Sequence, residues 1–256
     1  MCDIMVLSEV RYLNVRQKQI LQTLENEGEI TIKALAEMLK VSEMTVHRDA
    51  EYLQKQHYLY KKRGALVYIE NTDREKSDFY SEEKRSVGMK AAALITEGQT
   101  VIFDNSTTAM ECARFLDPSK RYTFYATGME TSAILSEYEK SILYCSGGYY
   151  FPASKGFVGA QAEAFVASVK ADVCIIGASG ISLEDGITTP YPMHTSLQKA
   201  IIASAKTKIL VCDHSKFDKR AMEKICDLTD IDMIVTDEKI SEEVYERYSR
   251  FVKIIK

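Results

Sequence analysis

The 256-residue sequence predicts an α/β chain in two parts: an N-terminal winged helix-turn-helix domain, then a doubly wound, largely parallel α/β domain. Three observations carry that prediction. Residues 1–70 repeat helical apolar spacing three times and then alternate about Gly64; from about residue 86, short apolar runs alternate with helical stretches; between them lies "ENTDREKSDFYSEEKRS", dense in charge. The expected division is 1–70 for the head, 71–85 for a charged linker that becomes a surface helix, and 86–256 for the α/β domain.

In the head, Ile20, Leu21 and Leu24 lie at helical spacing after Arg16, and Gly28 is the expected stop. "TIKALAEML" then puts Ile32, Leu35, Ala36 and Leu39 on one stripe. "KVS" is a turn whose Ser42 can cap a third helix by accepting an orphan amide of its first turn. "YLYKKRGALVYIE" alternates on either side of Gly64, as two short strands joined by a basic tip do.

In the second part the apolar runs are "TVIFDNSTT", "YTFYATGMET", "SILYCSGG", "ADVCIIGASG", "KILVCDHSK" and "DMIVTDE". Continuous runs of this length suit strands buried on both faces, which need crossover helices between them. In such sheets ligands sit beyond the carboxyl ends of the strands, where the polar clusters fall.

Bulk composition excludes several classes. With 46% hydrophobic and 27% charged residues, 12 Gly and 4 Pro, the chain resembles ordinary folded proteins rather than a disordered one. The net charge of −4 argues against a wholly basic nucleic-acid coat. Positions 40–63 nevertheless hold six basic residues against three acidic ones, so a positive face is local. Six cysteines are widely spaced, several inside apolar runs, with no CxxC or Cys/His metal spacing. They read as buried thiols in a reducing compartment, with no metal site and no cofactor expected. The start lacks the pattern of a signal peptide and no run approaches a membrane span, so a cytoplasmic location is expected.

The segment "VSEMTVHRDAEYL" carries the functional reading. If Val46 points inward, steps of about 100° keep Ala50 and Leu53 within about 40° of it and turn Met44, Arg48, Glu51 and Lys55 away. A helix that buries one seam and offers a polar N-terminal half suits a major groove. The DNA-facing set is Ser42, Glu43, Met44, Thr45, His47 and Arg48. Ser42 and Thr45 are placed to donate to phosphates beside the favourable helix dipole, and Arg48 to a guanine edge or a phosphate. Asp49, which DNA would repel, is assigned to a structural ion pair or the helix surface. Lys61, Lys62 and Arg63 form the wing, on backbone phosphate or in a minor groove.

These residues, with Arg16, Ile20 and Leu24 ahead of them, resemble the DeoR family of bacterial transcriptional regulators. The resemblance continues through Asp104, Asn105, Ser106, Thr107 and Thr108, "ATG" at 126–128, Gly147-Gly148, Phe157 with Gly159, "GASGI" at 177–181, Gly186 and "DHSKF" at 213–217. It implies a sugar-phosphate-sensing second domain, related in fold to sugar-phosphate isomerases. It further implies a repressor of carbohydrate genes that binds double-stranded operator DNA as a homodimer or homotetramer. The chain departs from the family pattern at His47, at Ala50, in a wing reduced to Arg63-Gly64-Ala65, and at residues 193–196, where acidic groups give way to Met, His, Thr and Ser.

The expected effector contacts are Asp104, Asn105, Ser106, Thr107, Thr108, Thr127, Gly128, Gly147, Gly148, Gly177 and Lys216. Ser106, Thr107 and Thr108 would cradle a phosphate with helix N-terminal amides; Asp104 would bind sugar hydroxyls or brace the loop. Gly147 and Gly148 permit close backbone approach, and Lys216 would supply a cation; His194 and His214 are further ligand candidates. Two other readings stand beside the regulator. One is an isomerase-like enzyme with an accessory head, using Asp104, Asp172 or Asp213 as general base; the other is a module whose head binds protein. Because no full catalytic constellation can be named, no enzymatic activity is expected.

Overall fold

The computed structural model describes residues 14–55, 58–62, 64–68 and 81–256, and the chain divides into two compact units split between residues 79 and 80. In the first unit, α1 (Val15–Glu27) opens with a capping box between Asn14 and Gln17 and stops at Gly28, whose φ of 72° suits glycine. A short strand, β1 (Glu29–Thr31), follows; Thr31 then caps α2 (Ile32–Leu39), accepting from the Ala34 amide at 3.2 Å. Lys40 turns the chain into α3 (Glu43–Lys55). The hairpin is β2 (Leu59–Lys62) and β3 (Ala65–Tyr68), with Gly64 at φ 83°. The alternation about Gly64 is thus a hairpin, but the sheet has three strands in the order β1-β3-β2. Strand β1 is too short to leave a periodic signal.

One cluster forms the core of this unit. Ile20, Leu21 and Leu24 of α1, Ile32, Leu35 and Ala36 of α2, Val46, Ala50 and Leu53 of α3, and Leu59 and Leu66 of the hairpin meet in it. Each helix contributes the stripe that its spacing selects.

The second unit begins with α4 (Ser81–Ala92), then β4 (Thr100–Phe103), α5 (Thr107–Arg114), β5 (Thr123–Ala126), α6 (Met129–Leu135) and β6 (Ile142–Cys145). A hairpin, β7 (Tyr149–Phe151) and β8 (Gly156–Val158), leads to α7 (Ala160–Ala167) and β9 (Ala171–Gly177). Next come β10 (Gly180–Ser182), β11 (Gly186–Thr189), α8 (Pro192–Ser204), β12 (Ala205–Val211), β13 (Glu223–Cys226), β14 (Met233–Val235), α9 (Glu242–Ser249) and β15 (Lys253–Ile255). Seven strands form one parallel sheet in the order β15-β14-β12-β9-β4-β5-β6. All six expected apolar runs are strands of it. The seventh, β15, is three residues flanked by lysine. Small antiparallel elements, β10-β11-β13 and β7-β8, sit outside the main sheet.

Apolar side chains fill both sides. Ile102, Cys174, Ile176 and Leu210 face Ala162, Val166, Leu197 and Ile201 of α7 and α8; Val101, Phe103, Phe124 and Ile175 face Val87, Ala91, Ala109 and Leu135 of α4, α5 and α6. Of the described cysteines, Cys112, Cys174, Cys212 and Cys226 are buried and Cys145 is exposed. No helix among the described residues is long and apolar enough to cross a membrane.

Gly88 lets α4 and α5 approach: a Cβ there would lie 2.7 Å from the Glu111 carbonyl carbon and Cβ. Gly88→Ala gains up to about 1 kcal/mol of helix propensity. The steric conflict, about 1–3 kcal/mol, is expected to outweigh it. Calorimetry should therefore show the melting of this unit falling by a few degrees.

Candidate functional site

The head presents α3. Ser42 caps it, its Oγ accepting from the Thr45 amide at 3.2 Å and sharing a hydrogen bond with the Thr45 hydroxyl at 2.9 Å. Val46, Ala50 and Leu53 are fully buried, while Ser42, Glu43, Met44, His47 and Arg48 are exposed and Thr45 is half-buried. The helical projection is therefore realised residue by residue.

Asp49, 4% exposed, faces inward. Its carboxylate accepts from Arg16 Nε at 2.5 Å and from Gln17 Nε2 at 3.3 Å, tying α3 to the start of α1. This resolves the ion-pair alternative and keeps the carboxylate off the outer face. In the wing, Lys62 is exposed and Lys61 half-buried, and Arg63 lies outside the described residues. Lys61 pairs with Glu51 at 3.5 Å and Lys62 with Glu29 at 3.9 Å. Such exposed pairs contribute about 0–1 kcal/mol and leave both ammonium groups available to phosphate.

The second site lies at the carboxyl ends of the parallel strands. After β4, buried Asp104 accepts from the Ser106 amide at 2.9 Å, the Gly177 amide at 2.8 Å and Gln198 Nε2 at 3.4 Å. Burial pushes its carboxyl above the ordinary range, and those donors pull it partly back. Asp104 thus braces the loop. Ser106 caps α5 by accepting from Ala109 N at 3.2 Å, so the amides of Thr107 and Thr108 point out of the first turn beyond the cap.

Asn105 is a latch: its Nδ2 donates to the Ser154 carbonyl at 2.9 Å, and Gly128 and Gly156 cross against it so closely that a Cβ on either would collide. Gly177 is pressed in the same way against the Ser106 side chain. Asp104, Asn105, Ser106, Gly128 and Gly177 are therefore brought together, with Thr107 and Thr108 continuing the same loop into α5.

Gly147 and Gly148 have φ of 60° and 101°, and a Cβ on Gly148 would sit 2.9 Å from the Val158 carbonyl oxygen. The protein's own backbone thus accounts for glycine at 148. Lys216 closes the short turn after β12; buried Asp213 there accepts from the Ser215 amide at 3.0 Å and from the Ser215 hydroxyl. His214 is held by Asp237, its amide donating at 2.6 Å and its Nδ1 lying 2.9 Å from the second oxygen. Asp172 lies at the amino end of β9, accepting from the Thr100 amide, and so stands at the opposite end of the sheet from Asp104 and Asp213.

Sequence reasoning missed Gln198, Thr195 and Asp237. Gln198 lies one residue off the apolar stripe of α8 and donates to the Gly177 carbonyl at 3.3 Å as well as to Asp104; nothing in its spacing marks it. Among the described residues, the side-chain oxygens of Thr127, Thr195 and Thr236, Gln198 Oε1 and Asp213 Oδ2 are buried without a hydrogen-bond partner. Buried polar atoms rarely stay so. These belong to strand carboxyl ends and to the first turns of α8. The described residues hold no cluster of His, Cys, Asp or Glu suited to a metal ion.

Residues 16–72 match the DeoR-like helix-turn-helix domain and residues 80–238 the DeoR C terminal sensor domain. The chain is 31% identical to the transcriptional repressor AccR of Agrobacterium fabrum (strain C58), over 87% of this chain and 88% of the relative. It is 28% identical to the lactose phosphotransferase system repressor of Lactococcus lactis subsp. lactis, over 94% of this chain and 97% of that one. Among solved structures, ribose 5-phosphate isomerase A of Methanocaldococcus jannaschii is 16% identical with a TM-score of 0.40, covering 54% of this chain and 55% of that chain, a likeness too distant to carry any chemistry. With an exposed polar recognition helix in the first unit, a sensor domain in the second, and repressors matched along nearly the whole length, the chain belongs to the DeoR family of transcriptional regulators.

Proposed function

We propose that this protein acts in the cytoplasm as a ligand-controlled repressor that binds operator DNA as a homo-oligomer. Helix α3 reads base edges through Arg48 and His47, with Ser42 and Thr45 at the phosphate beside its N-terminus, and Lys61 to Arg63 hold the flanking backbone. The single observation that carries this reading is the geometry of α3. Its polar row stands in solvent over a fully buried seam while its one mid-helix carboxylate is turned inward.

The effector is a phosphorylated sugar or related small anion. Its phosphate sits at the start of α5, on the amides and hydroxyls of residues 106–108, where the helix dipole favours negative charge. Its hydroxyls meet the buried oxygens left unpaired on Thr127, Thr195, Gln198 and Asp213. Lys216 supplies the cation. The lactose-system relative supports the sugar class. To control the head, ligand must bind the DNA-competent and incompetent states unequally, since equal affinity shifts nothing.

Gel-shift titrations with DNA upstream of the protein's own gene test the reading. Arg48→Ala should weaken the cognate sequence by about 1–3 kcal/mol and relax specificity. Lys62→Ala should weaken all sequences alike and flatten the salt slope by about one. Absence of any sequence-selective shift at moderate salt overturns the proposal. A thermal-shift screen of phosphorylated sugars tests the effector, because a bound ligand raises the melting temperature by mass action.

A further inference from the structure

The parallel sheet outruns its cover at one end. On the side carrying α7 and α8, Ile102 of β4 is buried, and Tyr125 of β5 is half-buried under Phe165 of α7, their ring centroids 5.6 Å apart. One strand further out, Tyr144 stacks on Tyr125 at 4.9 Å, yet its outer side is open, 44% exposed, and Ile142 on the same face is 57% exposed. Strands of parallel sheets are ordinarily covered on both faces. Here β6 is an edge strand with a bare face and one unpaired row of backbone amides and carbonyls.

The two edges of the sheet differ in chemistry. Strand β15, at the far edge, begins at Lys253 and is followed by Lys256, both exposed, which is how proteins blunt an edge against pairing. The β6 edge has no such guard. Residues 141–151, "SILYCSGGYYF", contain no charged side chain, and Tyr149 within them is 60% exposed. A strand edge free of charge is complementary to itself: two copies related by a two-fold axis pair antiparallel, each residue facing its own counterpart's strand with no charge buried.

We propose that β6 is the edge on which a second copy of this chain docks, Ile142 and Tyr144 of each copy covering the bare face of the other. This rests on the homo-oligomer named in the proposed function and assigns its place. The occupant is a second copy rather than a foreign strand because a repressor reading two half-sites needs a two-fold axis, and an uncharged, aromatic-rich edge satisfies one with no further partner.

Sedimentation equilibrium of the full chain tests this, comparing wild type with Ile142→Lys, Tyr144→Glu and, at the guarded edge, Phe251→Glu. Ile142→Lys and Tyr144→Glu should each halve the mass and raise the dissociation constant at least about 100-fold, with circular dichroism unchanged; Phe251→Glu should leave the mass alone. A second readout needs no disruptive variant. In a Cys2→Ser background Cys145 on β6 is the exposed thiol, the other four being buried. An antiparallel register centred between Leu143 and Gly147 puts the two Cys145 within about 15 Å, so a bis-maleimide of that span should link the wild-type pair. Wild-type mass retained by both β6 variants, or an oligomer that Cys145 does not link, overturns the assignment while leaving the oligomer itself intact. A monomeric wild type overturns the homo-oligomer, and the assignment with it.

Discussion

Asp104→Ala is expected to destabilise the second unit by about 3–5 kcal/mol and to abolish its response to ligand. The carboxylate is 1% exposed and receives the Ser106 and Gly177 amides and the Gln198 side chain. Its removal leaves three buried donors without an acceptor, each costing about 1–3 kcal/mol before the structure relaxes. Calorimetry should show the melting temperature falling by about 6–15 °C, a large shift for a unit of this size. Asp104→Asn should cost less, because its carbonyl still serves one amide while its NH2 opposes another.

The same side chain gives a pH signature. A carboxyl raised by burial holds its proton more tightly folded than unfolded. Its contribution is therefore present in acid and lost as pH rises through the raised value. Asp104 is thus not a group whose protonation unfolds the domain, and Asp104→Asn should make stability less dependent on pH above the ordinary carboxylate range. An unaltered pH profile would contradict that account. Loss of ligand response with only a small melting shift would mean that Asp104 touches the effector itself rather than bracing the loop.

Arg16→Ala is expected to cost the head about 1–3 kcal/mol and to weaken operator binding on every sequence. Breaking a fully buried pair by removing one partner costs about 3–5 kcal/mol. Because the Arg16 side chain is 38% exposed, solvent screens part of that. Asp49, its side chain only 6% exposed, would keep Gln17 alone. A domain this small draws about 3–5 kcal/mol from one core, so the loss is a large fraction of its stability.

The pattern separates this role from the DNA contacts. Arg48→Ala should relax discrimination and Lys62→Ala should flatten the salt slope, whereas Arg16→Ala should lower affinity with both unchanged, and the amide spectrum of the head should lose dispersion. Arg16→Lys, which keeps the charge but not the fork, should fall between. If Arg16→Ala instead altered base preference with the head fully folded, Arg16 would belong to the reading surface.

What was legible in the sequence is what repeats locally. Val46, Ala50 and Leu53 follow the helical period, which alone predicts their burial and the exposure of Met44, His47 and Arg48. Six parallel strands announced themselves as apolar runs, because a strand buried on both faces has no polar side to show. The capping hydroxyls of Ser42 and Ser106 act within three residues of themselves, so a short window contains the whole interaction.

The tertiary structure alone decided which distant groups meet. Asp49 found Arg16 across 33 positions, Asp104 found Gln198 across 94, and Asn105 found the Ser154 carbonyl across 49. Those partners follow from the strand order, which sets β4 beside β9 and brings α8 over their ends; no periodicity encodes it. The bare face of β6 has the same origin. Apolar residues on an edge strand and on a central one read alike along the chain, and only the placing of helices over the sheet determines which of them solvent reaches.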